Sequence, residues 1–142
     1  MNTSDFCTRL NSVVPTADGA HLQALEELTA GANELAGCPE TAAAIFAFLE
    51  RHSTADLGSP GPLIHYLERA FPVYVDALVS SVLRRPVGYT LWMTNRILNA
   101  KIPQTMRDQL LLSLRQASEH PLASELERRQ AREFIERQAN AG

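Results

Sequence analysis

Eight prolines divide the sequence into segments, and within each segment the apolar residues recur at the spacing of an α-helix. Proline is tolerated in the first turn of a helix but disrupts its interior, so most of these prolines are expected to mark helix starts. The prolines are Pro15, Pro39, Pro60, Pro62, Pro72, Pro86, Pro103 and Pro121. The sequence shows no alternating apolar and polar run of strand length and no Asn-Gly hairpin turn. The pattern therefore predicts an all-α chain.

The segments predict seven or eight helices of about 10–17 residues joined by short turns. The predicted helices cover approximately residues 4–13, 20–36, 39–52, 63–71, 72–84, 86–101, 103–118 and 122–138. Short turns place neighbouring helices antiparallel. Successive antiparallel pairs without a heptad seam favour a HEAT-like α-solenoid, and a compact helical bundle is the alternative. A chain of 142 residues is expected to form one domain, residues 1–142.

Residue types at the segment ends predict where two of these helices begin or end. Ser4 is a predicted N-cap of the first helix, because a serine hydroxyl can accept a hydrogen bond from the first turn. Gly37 is predicted to end the second helix, because glycine readily adopts the left-handed conformation found after helix C-termini. The face of the third helix predicted to be buried consists of Ala42, Ile45, Phe46, Phe48 and Leu49. The faces of other helices predicted to be buried include Phe71, Leu83, Leu122 and Leu126.

The composition is that of an ordinary globular protein, with 45% hydrophobic and 20% charged residues, which argues against disorder. The longest apolar run is only a few residues, so no membrane span is expected. The first residues show no secretion signal. The two cysteines, Cys7 and Cys38, form no Cys-x-x-Cys pair and are expected to be reduced thiols in a cytoplasmic protein.

Motifs for catalysis, metal binding and phosphate binding are missing from the sequence. The four histidines form no His-Glu-x-x-His pattern, and the glycines form neither a P-loop nor a Gly-x-Ser-x-Gly elbow. His65 and Glu68 have the spacing of a base and its orienting partner on one helix face, but a surface ion pair is the more common outcome of that spacing. We therefore expect no enzymatic activity, no metal and no cofactor.

Charge is distributed unevenly along the chain. Residues 1–60 carry two arginines against eight carboxylates, a net charge of −6, whereas the remaining residues carry eleven basic and eight acidic side chains, a net charge of +3. An acidic half does not suit nucleic-acid binding, which needs a basic surface. It does suit a basic protein partner, because complementary charge speeds encounter and rejects wrong partners. The alternative is an acidic surface that serves only solubility.

The segment 86–101 is apolar on nearly every side, as expected of a central helix packed by several others. One of its faces nevertheless combines aromatic, amide and cationic side chains at the spacing of successive helical turns. These residues are Trp92, Asn95, Arg96 and Asn99, with Tyr89 at the start of the segment. Trp, Tyr and Arg are enriched at protein–protein hot spots, so this face is a candidate binding ridge. The alternative is a hydrogen-bonded polar seam between packed helices, with Trp92 in the core.

Three stretches in residues 57–101 together resemble a known family. They are Gly58-Ser-Pro-Gly-Pro-Leu-Ile-His-Tyr-Leu-Glu68, Arg84-Arg-Pro, and Thr90-Leu-Trp-Met-Thr-Asn-Arg-Ile-Leu-Asn99. The family is a group of all-helical bacterial immunity proteins that accompany polymorphic toxins, including those of contact-dependent growth inhibition. The Trp-Met-x-Asn-Arg-Ile-Leu-Asn core is the most specific part of the resemblance.

The resemblance implies a cytoplasmic protein that binds a cognate toxin domain one-to-one and blocks its active site or its substrate path. Such toxins are often nucleases, and the immunity protein has no catalytic activity and binds neither nucleic acid nor membrane. The acidic positions and the candidate ridge together give the expected partner-binding residues: Glu26, Glu27, Asp56, His65, Glu68, Asp76, Tyr89, Trp92, Asn95 and Arg96. The alternative is a HEAT-like interaction adaptor without a toxin partner.

Overall fold

A computed structural model describes residues 1–141, over which the chain forms eight α-helices and no β-strand, so the all-α prediction is confirmed. The helices are α1 (Thr3–Ser12), α2 (Ala20–Ala30), α3 (Pro39–Arg51), α4 (Gly61–Glu68), α5 (Val75–Arg84), α6 (Gly88–Leu98), α7 (Gln104–Ala117) and α8 (Glu125–Ala141). In the described part of the chain, none of these helices has both the length and the apolar character needed to cross a bilayer.

The contacts divide the chain into two compact units, an N-terminal unit, Met1–Ala77, and a C-terminal unit that begins at Leu78. That the chain forms one domain stays a prediction. The HEAT-like solenoid also stays a prediction, with the compact bundle as its alternative.

In the N-terminal unit, α1 packs against α2 and α3, and α2 packs against α4. Helices α1 and α3 run in the same direction, since the Met1 ammonium lies 3.6 Å from Glu34 and Arg51 Nη2 donates to Asn11 Oδ1 at 2.7 Å. The core side chains include Phe6, Leu10, Leu25, Ala42, Ile45, Phe46, Phe48, Leu49, Leu63 and Leu67. The predicted buried face of the third helix is therefore confirmed.

In the C-terminal unit, α6, α7 and α8 all pack against one another. Arg107, near the start of α7, donates to the Leu98 carbonyl at 3.1 Å and to Gln138 Oε1 at 3.3 Å. The start of α7 therefore lies beside the ends of both α6 and α8, so α7 runs opposite to them. The core side chains include Val87, Leu91, Leu98, Leu110, Leu114, Ala131 and Phe134.

The two helix ends predicted from capping residues are wrong. Helix α2 stops at Ala30, well before the predicted stop at Gly37, and a short 3₁₀ turn, Asn33–Leu35, follows. Gly31 and Asn33 are poor helix formers, which explains the early stop. Asn2, and not Ser4, is the N-cap of α1, because its Oδ1 accepts the Asp5 amide at 2.8 Å.

Four leucine and phenylalanine side chains that were predicted to be buried are exposed. The exposed fractions are 44% for Phe71, 42% for Leu83, 61% for Leu122 and 70% for Leu126. Phe71 lies beyond the end of α4 at Glu68, and Leu122 lies in the turn before α8 begins at Glu125. The helical period that predicted their burial does not extend to these two positions.

Candidate functional site

Helices α2 and α4 border a cleft of about 540 Å³ in the N-terminal unit. The lining residues come from α2, from the turn before α4, and from α4 and its C-cap: Glu26, Thr29, Ala30, Ser59, Pro60, Gly61, Pro62, His65 and Arg69. We call this the α2–α4 cleft. It brings together two of the predicted contact residues, Glu26 and His65, which are far apart in the sequence.

The wall of the cleft formed by residues 59–61 is supported by a buried histidine. His21 accepts the Thr16 amide at Nδ1 (3.0 Å) and donates from Nε2 to the Asp56 carbonyl (2.6 Å). These two bonds hold the ring in place, with Nδ1 as the acceptor and Nε2 as the donor. The Asp56 carboxylate in turn accepts the Gly58 amide at 3.0 Å. Gly58 has a φ of +97°, and a Cβ there would lie 2.2 Å from the Gly61 Cα, so this tight turn requires glycine.

The opposite end of the cleft is held by Tyr66 and Arg69. The Tyr66 hydroxyl donates to the Ala32 carbonyl at 2.7 Å, which ties the end of α4 to the segment after α2. Arg69 Nη1 donates to Asn33 Oδ1 at 3.1 Å, and its guanidinium lies 5.9 Å from the centre of the Tyr66 ring. The arginine of the cleft therefore hydrogen-bonds to an amide. The carboxylate of Glu26 has no hydrogen bond or ion pair with any of residues 1–141.

Replacing Tyr66 with phenylalanine is expected to lower the free energy of unfolding by about 1 kcal/mol, the usual net contribution of a hydrogen bond. The loss is modest because the Ala32 carbonyl also accepts the Leu35 amide at 3.0 Å.

Burial raises the pKa of Tyr66 from 10.0 to about 12, and the nearby Cys38 and Glu34 add to that shift. Above pH 10 the unfolded chain therefore loses this proton first, so wild-type stability falls as the pH rises from 10 to 12.

Urea unfolding of the wild type and Tyr66→Phe between pH 8 and about pH 12 measures both effects. The variant starts lower at pH 8 and shows a shallower loss of stability above pH 10, since it lacks the titrating hydroxyl. Parallel pH profiles for the two proteins would contradict the assignment of this alkaline loss to Tyr66.

The N-terminal unit carries a large excess of negative charge. It holds three arginines against ten carboxylates, a net charge of −7. Eight of the carboxylate residues are exposed: Asp5, Asp18, Glu26, Glu27, Glu34, Glu40, Asp56 and Asp76. Hydrogen bonds from Thr16 and from the Ala20 amide lower the pKa of the exposed Asp18, so this carboxylate stays charged well below neutral pH. The surface of the N-terminal unit is therefore strongly acidic.

Six of the ten predicted contact residues lie in this acidic unit. Glu26 and Glu27 are exposed on α2, and His65 is exposed on α4. Asp56 is exposed in the loop before α4, and Asp76 is exposed in the first turn of α5. The sixth, Glu68, is half-buried at the end of α4. The sequence reasoning missed Arg69 as a lining residue, although its i+4 spacing from His65 places both on one helix face.

The other four predicted contact residues lie on α6 in the C-terminal unit. Asn95 is buried, and its Oδ1 accepts Gln138 Nε2 at 2.8 Å. The same Gln138 nitrogen also donates to Asn99 Oδ1 at 2.8 Å. Asn95 and Asn99 therefore form the polar seam that was the alternative reading of this face. Their binding role stays a prediction.

The aromatic and cationic members of the candidate ridge are more accessible than Asn95. Tyr89 and Trp92 are half-buried, and Arg96 is exposed. The Arg96 guanidinium lies 5.0 Å from the centre of the Trp92 ring, a cation–π distance. The role of these three side chains in binding stays a prediction.

No protein-family model, curated protein or solved structure matches the chain. Within residues 1–141, no group of three or more His, Cys, Asp or Glu side chains is placed to hold a metal ion. The N-terminal unit thus presents an acidic surface and a cleft lined by both polar and apolar residues.

Proposed function

We propose that this chain is an immunity protein that binds a cognate toxin domain, a nuclease, and neutralises it in the bacterial cytoplasm. The N-terminal unit is the inhibitory surface. The observation that carries the proposal is the net charge of −7 on the N-terminal unit, which has eight exposed carboxylate residues. The resemblance of residues 57–101 to the immunity proteins of polymorphic toxins also supports the proposal.

The inhibition follows from competition for a basic surface. A nuclease binds the phosphates of its substrate with lysine and arginine side chains. An acidic protein surface attracts the same side chains, steers the encounter, and excludes nucleic acid once it is bound. The α2–α4 cleft offers one of these cations the Glu26 carboxylate, which has no partner among residues 1–141. Binding alone stops the toxin, so the chain needs no catalytic group, metal or cofactor.

Co-expression with the toxin domain encoded immediately upstream tests the proposal. We expect growth to be rescued and the two proteins to co-purify one-to-one. A matched culture that expresses the toxin domain with an unrelated helical protein should not grow. Continued killing despite soluble expression of the chain, or an adjoining gene that encodes no toxin, would overturn the proposal and favour the adaptor hypothesis.

A further inference from the structure

Phe71 and Val73 form an exposed apolar tip in the turn between α4 and α5. Their exposed fractions are 44% and 45%, and Pro72 between them is exposed too. We call this the Phe71–Val73 tip. It belongs to the acidic N-terminal unit. Large apolar residues that a fold leaves exposed together are typical of surfaces that bind other proteins.

The tip is held in place by its own backbone. The Phe71 amide donates to the Glu68 carbonyl (3.3 Å), the Val73 amide to the Ala70 carbonyl (2.8 Å), and the Val75 amide to the Pro72 carbonyl (3.0 Å). Tyr74 and Val75, which follow the tip, are buried, and the Phe71 and Tyr74 rings form a T-shaped contact with 6.0 Å between ring centres. A side chain presented by an ordered turn loses little freedom on binding, which favours affinity.

The charges beside the tip indicate what kind of surface covers it. Asp76 is exposed, and its carboxylate makes no hydrogen bond or ion pair within the described part of the chain. Glu68 lies on the other side of the tip, at the end of α4. Arg69, which follows Glu68 in the chain, hydrogen-bonds to Asn33. An apolar tip beside the exposed Asp76 carboxylate is complementary to an apolar socket with lysine or arginine at its rim.

Leu83, Leu122 and Leu126 of the C-terminal unit are exposed as well. Charges of both signs lie near them in the chain, where Arg85 lies 3.8 Å from Glu127 and Arg132 lies 2.9 Å from Glu125. Mixed charge of this kind does not select a partner of one sign.

We infer that the Phe71–Val73 tip is the apolar anchor with which the N-terminal unit seats on the basic surface of its toxin domain. Phe71 enters a socket on the toxin, and Asp76 pairs with a cation at the rim of that socket. Such a buried aromatic anchor within a charged surround is the usual composition of a binding hot spot. This inference rests on the proposed function and adds to it the residue that limits dissociation.

The affinity of the purified upstream-encoded toxin domain for the full chain tests this inference. We expect Phe71→Ala to weaken binding by about 10- to 100-fold, mainly through faster dissociation, and Val73→Ala to weaken it less. The matched control is Leu112→Ala on α7, which truncates a side chain that is 52% exposed in the C-terminal unit. It should leave the affinity within about twofold. Circular dichroism and thermal unfolding check folding, and Val73→Ala provides the test if Phe71→Ala unfolds.

The outcomes separate this inference from the proposed function. If the wild type binds the toxin domain and neither tip variant changes the affinity by more than about twofold, the anchor is refuted while the immunity function stands. An equal loss in Leu112→Ala also refutes it, because the effect is then not specific to the tip. If the wild type itself does not bind, both the function and the anchor fall.

Discussion

Association with the toxin domain is expected to slow by about 10- to 100-fold when exposed carboxylates of the N-terminal unit are changed to lysine. The positions are Glu26, Glu27, Asp56 and Asp76. Each reversal raises the charge of the unit by two, so the four together change it from −7 to +1. A surface of that charge no longer steers a basic partner, and the loss should appear in the association rate more than in the dissociation rate.

One of these four carboxylates also has a structural role. The Asp56 side chain accepts the Gly58 amide and thereby supports the turn at one wall of the α2–α4 cleft. The triple variant Glu26→Lys/Glu27→Lys/Asp76→Lys leaves that bond intact and tests charge alone. Its effect should be largest at low ionic strength and shrink at about 0.15 M salt, where the Debye length is about 8 Å.

A matched control makes the same change in total charge on the other unit. Glu119, Glu133 and Glu136 are exposed there, and converting them to lysine raises the net charge by six at positions far from the acidic unit in sequence. Stopped-flow association rates of the two triple variants are then compared. If both slow association equally, net charge alone is responsible and the acidic unit is not the binding surface. Unchanged rates in both would remove the electrostatic argument altogether.

The fold class could be predicted because burial on a helix repeats with the helical period. On α3 that period identified Ala42, Ile45, Phe46, Phe48 and Leu49, all of which are buried. The same reasoning was wrong where a helix ends. Phe71 and Leu122 follow the apolar period but lie outside α4 and α8, and a helix end depends on local backbone bonds that periodicity does not register.

The candidate site could be predicted only in part, because its residues come together through packing. The acidic character of the first half was evident from the sequence alone. That Glu26 and His65 share a cleft depends on the packing of α2 against α4, and no local pattern specifies that contact. The polar seam likewise joins Asn95 to Gln138, and Gln138 was not singled out from the sequence. Long-range hydrogen bonds of this kind leave no mark on the periodicity of either helix.

Gln138→Leu is expected to lower the free energy of unfolding by about 2–4 kcal/mol. Gln138 is buried, its nitrogen donates to Asn95 and Asn99, and its oxygen accepts from Arg107. Leucine keeps much of the volume but removes all three bonds. The buried Asn95 oxygen is then left without a donor, and leaving a buried polar group unsatisfied costs more than the net gain from making the bond.

Urea unfolding measures this loss of stability, with the fluorescence of Trp92, the only tryptophan, as the signal. Trp92 lies on the same helix as Asn95. Gln109→Leu on α7 is the matched control, because Gln109 is exposed and its substitution should change stability by less than about 0.5 kcal/mol.

Asn95→Leu combined with Gln138→Leu removes both partners and should cost less than the sum of the two single changes, since no unsatisfied pair remains. Strict additivity of the two substitutions would show that the Gln138–Asn95 bond does not hold α6 against α8. In that case the loss in each single variant comes from altered packing.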